Sequence, residues 1–468
     1  EPRVLRGVVA MGTGLPELAP GVRGVADLGA VSADAWLALL PEGGVPGASG
    51  DANSPAAPGS TGTSAAAPAS TAAWGGYLPQ TLELRAQALT LASRRLTRLT
   101  LGLARMAPPA AGWRARVDAE QLRGEVSYFE PRSGTDAGRV QARLARLSLG
   151  TSDAESVEGL LEQAPRSVPA VDLQADDFEL RGRHLGKLTI DAVNRSRSGV
   201  ASAREWQLHR LAIESPDAEL EATGQWGQAV GGDGRRRMGL DFRLNIRDAG
   251  ALLQRLGFGE VIRGGKGRLE GGVSWAGSPL GLDLPSLDGR MNLGLESGQF
   301  LKAEPGAGRL LSVLSLQSLP RRLILDFRDV FQEGFAFDSL TGDMTLAHGL
   351  ARTNNLRMRG VQAVVLMEGQ ADLLRESQNL RVVVVPEINA GTASLAYAVI
   401  NPAVGLGTFF GQLLLRGPLA AAGTREFHID GSWSDPQIRA VERSAERPAA
   451  AAAPPSPSAA AAASQPSR

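Results

Sequence analysis

The sequence has no cysteine. Disulfides, thiolate nucleophiles and cysteine-ligated metals are therefore excluded, while the redox compartment stays open. It also lacks an excess of either charge: 49 Lys and Arg balance 49 Asp and Glu in 468 residues. That balance argues against a nucleic-acid binder, which shows a basic excess or stripe. Aromatic residues are few, at 5 %. Catalytic signatures are missing as well. "MGTGLP" (Gly12, Gly14) and "RGGKG" (Arg263 to Gly267) fall short of a dinucleotide loop or a P-loop, and "PGAGRLL" lacks the P-loop lysine. There is no GxSxG elbow. The four histidines, His184, His209, His348 and His428, are isolated, each in a strand-like segment, and read as surface residues rather than metal ligands. Asp326 and Asp329 flank Arg328 in "LDFRDVF" and read as a strand-end ion pair, not a catalytic carboxylate pair. The expectation is a protein that is not an enzyme and needs no metal or cofactor.

What is abundant is glycine, 57 residues, set among short apolar runs. "LELRAQALTLASRRLTRLTLGLARM" alternates apolar and polar residues, the period of a strand with one wet face. The pattern returns in "LQADDFELRGRHLGKLTIDAVN", "LDFRLNI", "LDGRMNLGLESGQFL", "LTGDMTLAHGLARTNNLRMRG" and "VVLMEGQADLLRESQNLRVVVVP". A degenerate phrase also recurs, in "EATGQWGQ" around Trp226, "LEGGVSWAGSP" around Trp275, "MEGQADL" around Gly369 and "IDGSWSDP" around Trp433. Such strand-turn units bury their faces by stacking on neighbours. Helical patterns are few. "SADAWLALLP" has Ser32 as N-cap. "DAGALLQRLGFGE" (248–260) places Leu252, Leu253 and Leu256 on one face and stops at Gly257. "GRLLSVLSLQSLP" (308–320) ends at Pro320.

These patterns divide the chain. Residues 1–41 open a β segment with a short helix. Residues 42–76, rich in Gly, Pro, Ser and Ala, cannot form a core and read as a disordered insertion. Residues 77–392 are the repetitive β region, 393–442 a helical apolar cap with a terminal strand, and 443–468 a disordered tail. The chain opens on Glu1-Pro2-Arg3 without a basic-then-apolar leader. It reads as the C-terminal part of a longer protein, with a processed N-terminus as the other reading.

"EPGAGRLLSVLSLQSLPRRLILDFRDVFQEGFAFDSLTGDMTLAHGLARTNNLRMRG", together with "INPAVGLGTFFGQLLLRGPL" and "GSWSDPQI", resembles the C-terminal region of YhdP-like proteins of the AsmA-like superfamily. "ADAWLALL", "WRARVDAEQLRGEVSY" and "LLQRLGFGEVIRGGKGRLEGGVSWAGSP" agree more loosely. The resemblance implies a mainly β protein: a long, curled antiparallel sheet forming an open apolar groove, with a few short helices. It implies a periplasmic conduit of Gram-negative bacteria that moves phospholipid between the inner and outer membranes. An N-terminal helix, missing from this chain, would anchor it in the inner membrane. The runner-up is an envelope scaffold for outer-membrane biogenesis, which wants a closed core instead of an open lumen.

For the groove, Val365, Met367, Ala371 and Leu373 fall on one parity of an apolar strand and are the lining candidates. Val364 and Leu366 fall on the other. A second wall packing on that face is the alternative. Exposing a lipid with two chains of about 14 methylenes would cost roughly 20 kcal/mol at about 0.8 kcal/mol per methylene, so a carrier must cover most of the path. The charge-free stretch 388–415 adds a membrane question. Pro402 breaks it into halves too short to span a bilayer. It reads as a broken span, as a buried core hairpin, or as an interfacial cap hinged at Pro402. The cap would present Phe409, Phe410, Leu413 and Leu414 to the outer membrane, with Arg416 at headgroup depth.

Overall fold

The computed structural model describes residues 4–35, 79–91, 94–107, 110–131, 138–151, 168–196, 204–228, 236–279, 281–301, 335–361, 363–386 and 424–441. The insertion 42–76, the helix expected over 308–320, Asp326, Asp329, the stretch 388–419 and the tail lie outside them, and with them Pro402, Phe409, Phe410, Leu413, Leu414 and Arg416.

The described residues are mainly β. The first strands are β1 (Arg6–Met11), β2 (Gly21–Ser32), β3 (Thr81–Leu91), β4 (Arg94–Met106), β5 (Gly112–Asp118), β6 (Leu122–Phe129) and β7 (Arg139–Leu149). Then come β8 (Ala170–Leu180), β9 (Arg183–Ser196), β10 (Arg204–Glu214), β11 (Ala218–Gln228), β12 (Arg236–Ile246), β13 (Ile262–Ala276) and β14 (Asp288–Phe300). The last are β15 (Phe335–Ala347), β16 (Leu350–Arg359), β17 (Ala363–Asp372), β18 (Ser377–Pro386), β19 (Arg425–Gly431) and β20 (Pro436–Ala440). All 20 belong to one sheet. Each strand pairs with its neighbours in chain order, and the two ends of the series, β1 and β20, do not pair with each other, so the sheet is unclosed. At about 4.8 Å per strand, twenty strands extend roughly 90 Å across the stack.

The antiparallel expectation holds for most pairs but not all. β1–β2, β2–β3 and β7–β8 are parallel. A hairpin turn reverses the chain, so a parallel neighbour needs a connection that carries it back to the starting end. The low-complexity segment 42–76 falls inside one such connection, between β2 and β3.

The Ser32 cap is present: the Ala35 N–H donates to Ser32 Oγ at 3.2 Å. The helix expected at 248–260 is α1 (Ala249–Leu256). The Asp248 carboxylate accepts from the Ala251 N–H at 2.9 Å. Gly257, at φ 88, ends the helix, with the N–H of Phe258 closing back on Leu253 O at 2.9 Å. The buried face is turned from the expected one. Ala249, Leu252 and Leu253 pack on the sheet, while Leu256 is 42 % exposed. The backbone comes close at Gly250, where a Cβ would sit 2.3 Å from Ile262 O, and this sets which face meets the sheet. His348 also differs from expectation: it occupies the β15–β16 turn, not a strand.

Arg255 fixes α1 to the β10–β11 turn. Its Nε and Nη2 donate to the buried Asp217 carboxylate at 2.9 and 2.7 Å. Burial opposes ionisation of Asp217, but hydrogen bonds and charge from Arg255 prevail and hold its pKa below the ordinary aspartate value. A depressed carboxyl contributes stability that is present above its unfolded pKa and lost as pH falls through the folded one. The helix contact is therefore expected to be intact at neutral pH and to weaken below about pH 4. Asp217→Asn should cost about 3 kcal/mol, because Arg255 loses its partner in a largely buried setting. Hydrogen exchange of α1 against pH checks both; an unchanged profile in the variant would show that the pair does not hold the helix.

Candidate functional site

The pairing register joins the alternating strands into continuous rows. One row runs through Met11, Ala26, Leu84, Leu101, Val117, Gly124, Leu144, Ala175 and Leu188, from β1 to β9. It continues through Ile213, Leu220, Leu244, Leu269, Leu293 and Gly342, from β10 to β15. A register shift follows between Thr341 and Thr345. There a Cβ on Gly342 would lie 2.8 Å from Leu356 Cα, and Leu356 takes the row onward to Met367, Val382, Phe427 and Ala440. Every strand of the sheet contributes an apolar residue or glycine to it.

The opposite face carries charge of alternating sign. Arg116, Glu125 and Arg143 are register neighbours, as are Glu221, Arg243 and Glu270. Ion pairs link Arg116 to Glu125 at 3.5 Å and Arg243 to Glu270 at 3.2 Å. Arg381 reaches Glu426 at 2.6 Å and Glu368 at 3.3 Å. The Arg116 and Arg243 pairs are exposed and contribute little energy; they mark a stretch of this face that stays in water, whereas the Arg381–Glu426 pair is half-buried. Two shallow depressions, of ≈ 720 and ≈ 620 Å³, lie on this polar face beside Asp241 and beside Arg381. They are wet surface, not part of the apolar row. No group of acidic or histidine side chains that could hold a metal occurs among the described residues.

Along the apolar face, packing changes from end to end. Val365 and Met367 are 0 % and 2 % exposed, inside a cluster with Phe300, Phe335, Met358 and Val382. Their second-face neighbours Val364 and Leu366 are buried too, at 1 % and 8 %. The sequence-derived lining candidates thus divide. Val365 and Met367 sit in a closed, packed region, while Ala371 and Leu373 are half-buried near the strand ends. The more accessible part of the row lies upstream. Leu220, Leu244, Leu269 and Leu293 are half-buried, side by side in four consecutive strands, the last three packed against the border of that same cluster. Sequence reading missed them, because their alignment depends on register and not on any one strand. The alternation in "LDFRLNI" and "MNLGLESG" was the available signal.

Tryptophans gather at one end of the same face. Trp206, Trp226, Met238 and Trp275 are register neighbours. The recurring phrases around Trp226 and Trp275 therefore mark equivalent positions. Their indole N–H groups donate to Gly277 O at 2.7 Å and Ser278 O at 2.9 Å, which fixes both rings against the turn. Trp433 departs from the pattern and sits in the turn between β19 and β20.

The family model of the YhdP protein matches residues 2–438. The chain belongs to the YhdP family. Over 240 residues it is 32 % identical to the Escherichia coli (strain K12) protein "Intermembrane phospholipid transporter YhdP". That stretch is 51 % of this chain and 19 % of the relative, so the chain spans about a fifth of the length of that YhdP relative. No solved structure matches the chain.

Proposed function

We propose that this chain is part of a conduit that moves phospholipid between the inner and outer membranes, with the apolar face curled into an open groove for acyl chains. The observation that carries the reading is the row of apolar residues and glycines that crosses all 20 strands, while the other face carries exposed ion pairs on β5–β6 and β12–β13 and is buried around Val364, Leu366, Val383 and Val385 among the valine-rich strands. A conduit of this kind works in the periplasm, anchored in the inner membrane by an N-terminal helix. No helix among the described residues is long and apolar enough to cross a membrane. The C-terminal stretch serves as a cap hinged at Pro402, with Phe409, Phe410, Leu413 and Leu414 meeting the outer membrane and Arg416 at headgroup level. The closed cluster around Met367 also suits the scaffold reading, in which the sheet supports outer-membrane biogenesis without carrying lipid. The two readings differ at the half-buried leucines. A photo-crosslinker at Leu269, in the purified chain incubated with phospholipid vesicles, is expected to label acyl chains, and lipid should co-purify in native mass spectrometry. If no phospholipid co-purifies and no label forms, the conduit reading is lost and the scaffold stands.

A further inference from the structure

With no cysteine in the chain, methionine supplies its only sulfur, at seven positions. Burial sorts them. Met238, Met358 and Met367 are at most 2 % exposed, and Met11 is exposed at 45 %. Met106, Met291 and Met344 are half-buried. Met291 on β14 and Met344 on β15 are direct register partners. They stand on the apolar face, two residues along their strands from Leu293 and Gly342 of the apolar row. Their strand neighbours Arg290, Asn292, Asp343 and Thr345 are exposed and belong to the wet face. The register neighbour of Met291 on β13 is Gly271, which has no side chain to set against it, and the half-buried Phe242 follows on β12. Both methionines pack against the cluster of Trp226, Met238 and Trp275. The pair therefore lies between the tryptophans and the half-buried leucines.

Methionine is unbranched and polarisable, so two together make a lining that adapts to chains of differing shape. The same thioether is the group in this stretch that a peroxide changes. One oxygen passes to sulfur: the O–O bond of hydrogen peroxide breaks, an S–O bond forms, sulfur is oxidised and the peroxide is reduced to water. The sulfoxide is polar and chiral, and its reversal needs a sulfoxide reductase for each epimer. Two sulfoxides here would set polar oxygens into the lining beside Leu293, and acyl methylenes lying across them would lose their apolar cover. The buried Met238, Met358 and Met367 are shielded from the same reagent, so the fold separates thioethers that can respond from those that cannot.

We infer that Met291 and Met344 are a paired modification site, at which oxidation by peroxide to the sulfoxides lowers the affinity of the apolar face for phospholipid acyl chains and reduction restores it. The inference rests on the conduit reading. It adds to that reading a reversible chemical control that acts on the tails and not on the headgroup.

The test treats the full chain with dilute hydrogen peroxide, free and loaded with phospholipid. Peptide mass spectrometry reads oxidation at each methionine, and native mass spectrometry reads bound lipid. In the free chain Met291 and Met344 are expected to oxidise ahead of Met238, Met358 and Met367. Rates no faster than those of the buried three overturn the inference whatever the chain binds. Loaded lipid should slow oxidation of the pair; an unchanged rate would show that acyl chains do not lie on it. Oxidation is expected to lower bound phospholipid about tenfold, the effect of roughly two methylenes left in water. Sulfoxide reductases for both epimers, supplied with a dithiol, should return it, and failure to do so would mean damage in place of control. The double variant Met291→Leu, Met344→Leu, close to the parent in volume, is compared with its own untreated sample and should keep its lipid through peroxide. If it still loses lipid, the effect belongs to another methionine, and the inference falls while the conduit stands. A parent that binds no phospholipid before treatment overturns both.

Discussion

A chain carrying Leu244→Asp and Leu293→Asp is expected to keep its sheet and lose its phospholipid. Both leucines are half-buried members of the apolar row, separated by Leu269 on β13. Leaving one strand between them avoids like charges directly opposite, which would add a cost of their own. On the conduit reading, each carboxylate would uncover acyl methylenes that the leucine covers in the parent. Four methylenes left in water lose about 3 kcal/mol at about 0.8 kcal/mol each, roughly a hundredfold in affinity. The folding cost is expected at about 1–3 kcal/mol per site, because both leucines pack against the apolar cluster yet keep an exposed side through which the charge can reach solvent. Lipid retained per chain and the thermal midpoint separate the two effects. Full retention of lipid would show that cargo does not touch this row.

Met367→Asp should do the opposite. Met367 is 2 % exposed between Leu356 and Val382, inside an apolar cluster. An unpaired carboxylate there must be buried at a cost of several kcal/mol or neutralised. A loss of about 4 kcal/mol or more is expected, seen as a collapsed melting transition and rapid hydrogen exchange through β16, β17 and β18. Met367→Leu, which conserves volume, should cost less than about 1.5 kcal/mol. A normal melt for the Asp variant would mean that the region opens to water, and would return Met367 to the lining as the sequence reading had it.

Much of this arrangement was legible beforehand. Alternation is a property of a single strand, so "LELRAQALTL" and "RRLTRLTLGLARM" announced β3 and β4 directly. Asp248 and Gly257 marked the ends of α1 because caps are local chemistry. The rotation of that helix was not readable, since it depends on how closely Gly250 approaches Ile262 O across the fold. The candidate site shows the same limit. Val365 and Met367 were recognisably on one parity, but parity does not say whether that face is closed by neighbours or left half-open. Leu220, Leu244, Leu269 and Leu293 lie in separate segments, and only the pairing register brings them into line. The parallel joins were hidden for a similar reason, as a chain reversal or its absence is decided by connections whose sequence carries no alternation.

Pairing strictly in chain order also sets how such a sheet can change length. Contacts are made almost wholly between strands adjacent in sequence, so each hairpin can form as soon as it leaves the ribosome, without waiting for distant segments. The same economy makes the reach of the protein adjustable. Duplicating one hairpin would lengthen the stack by about 10 Å and leave every other pairing as it was. A single residue inserted within β12 would have the opposite outcome, sending half of that strand's leucines to the wet side and interrupting the row at one point. Selection on span can therefore act through whole hairpins, while selection on register must act residue by residue.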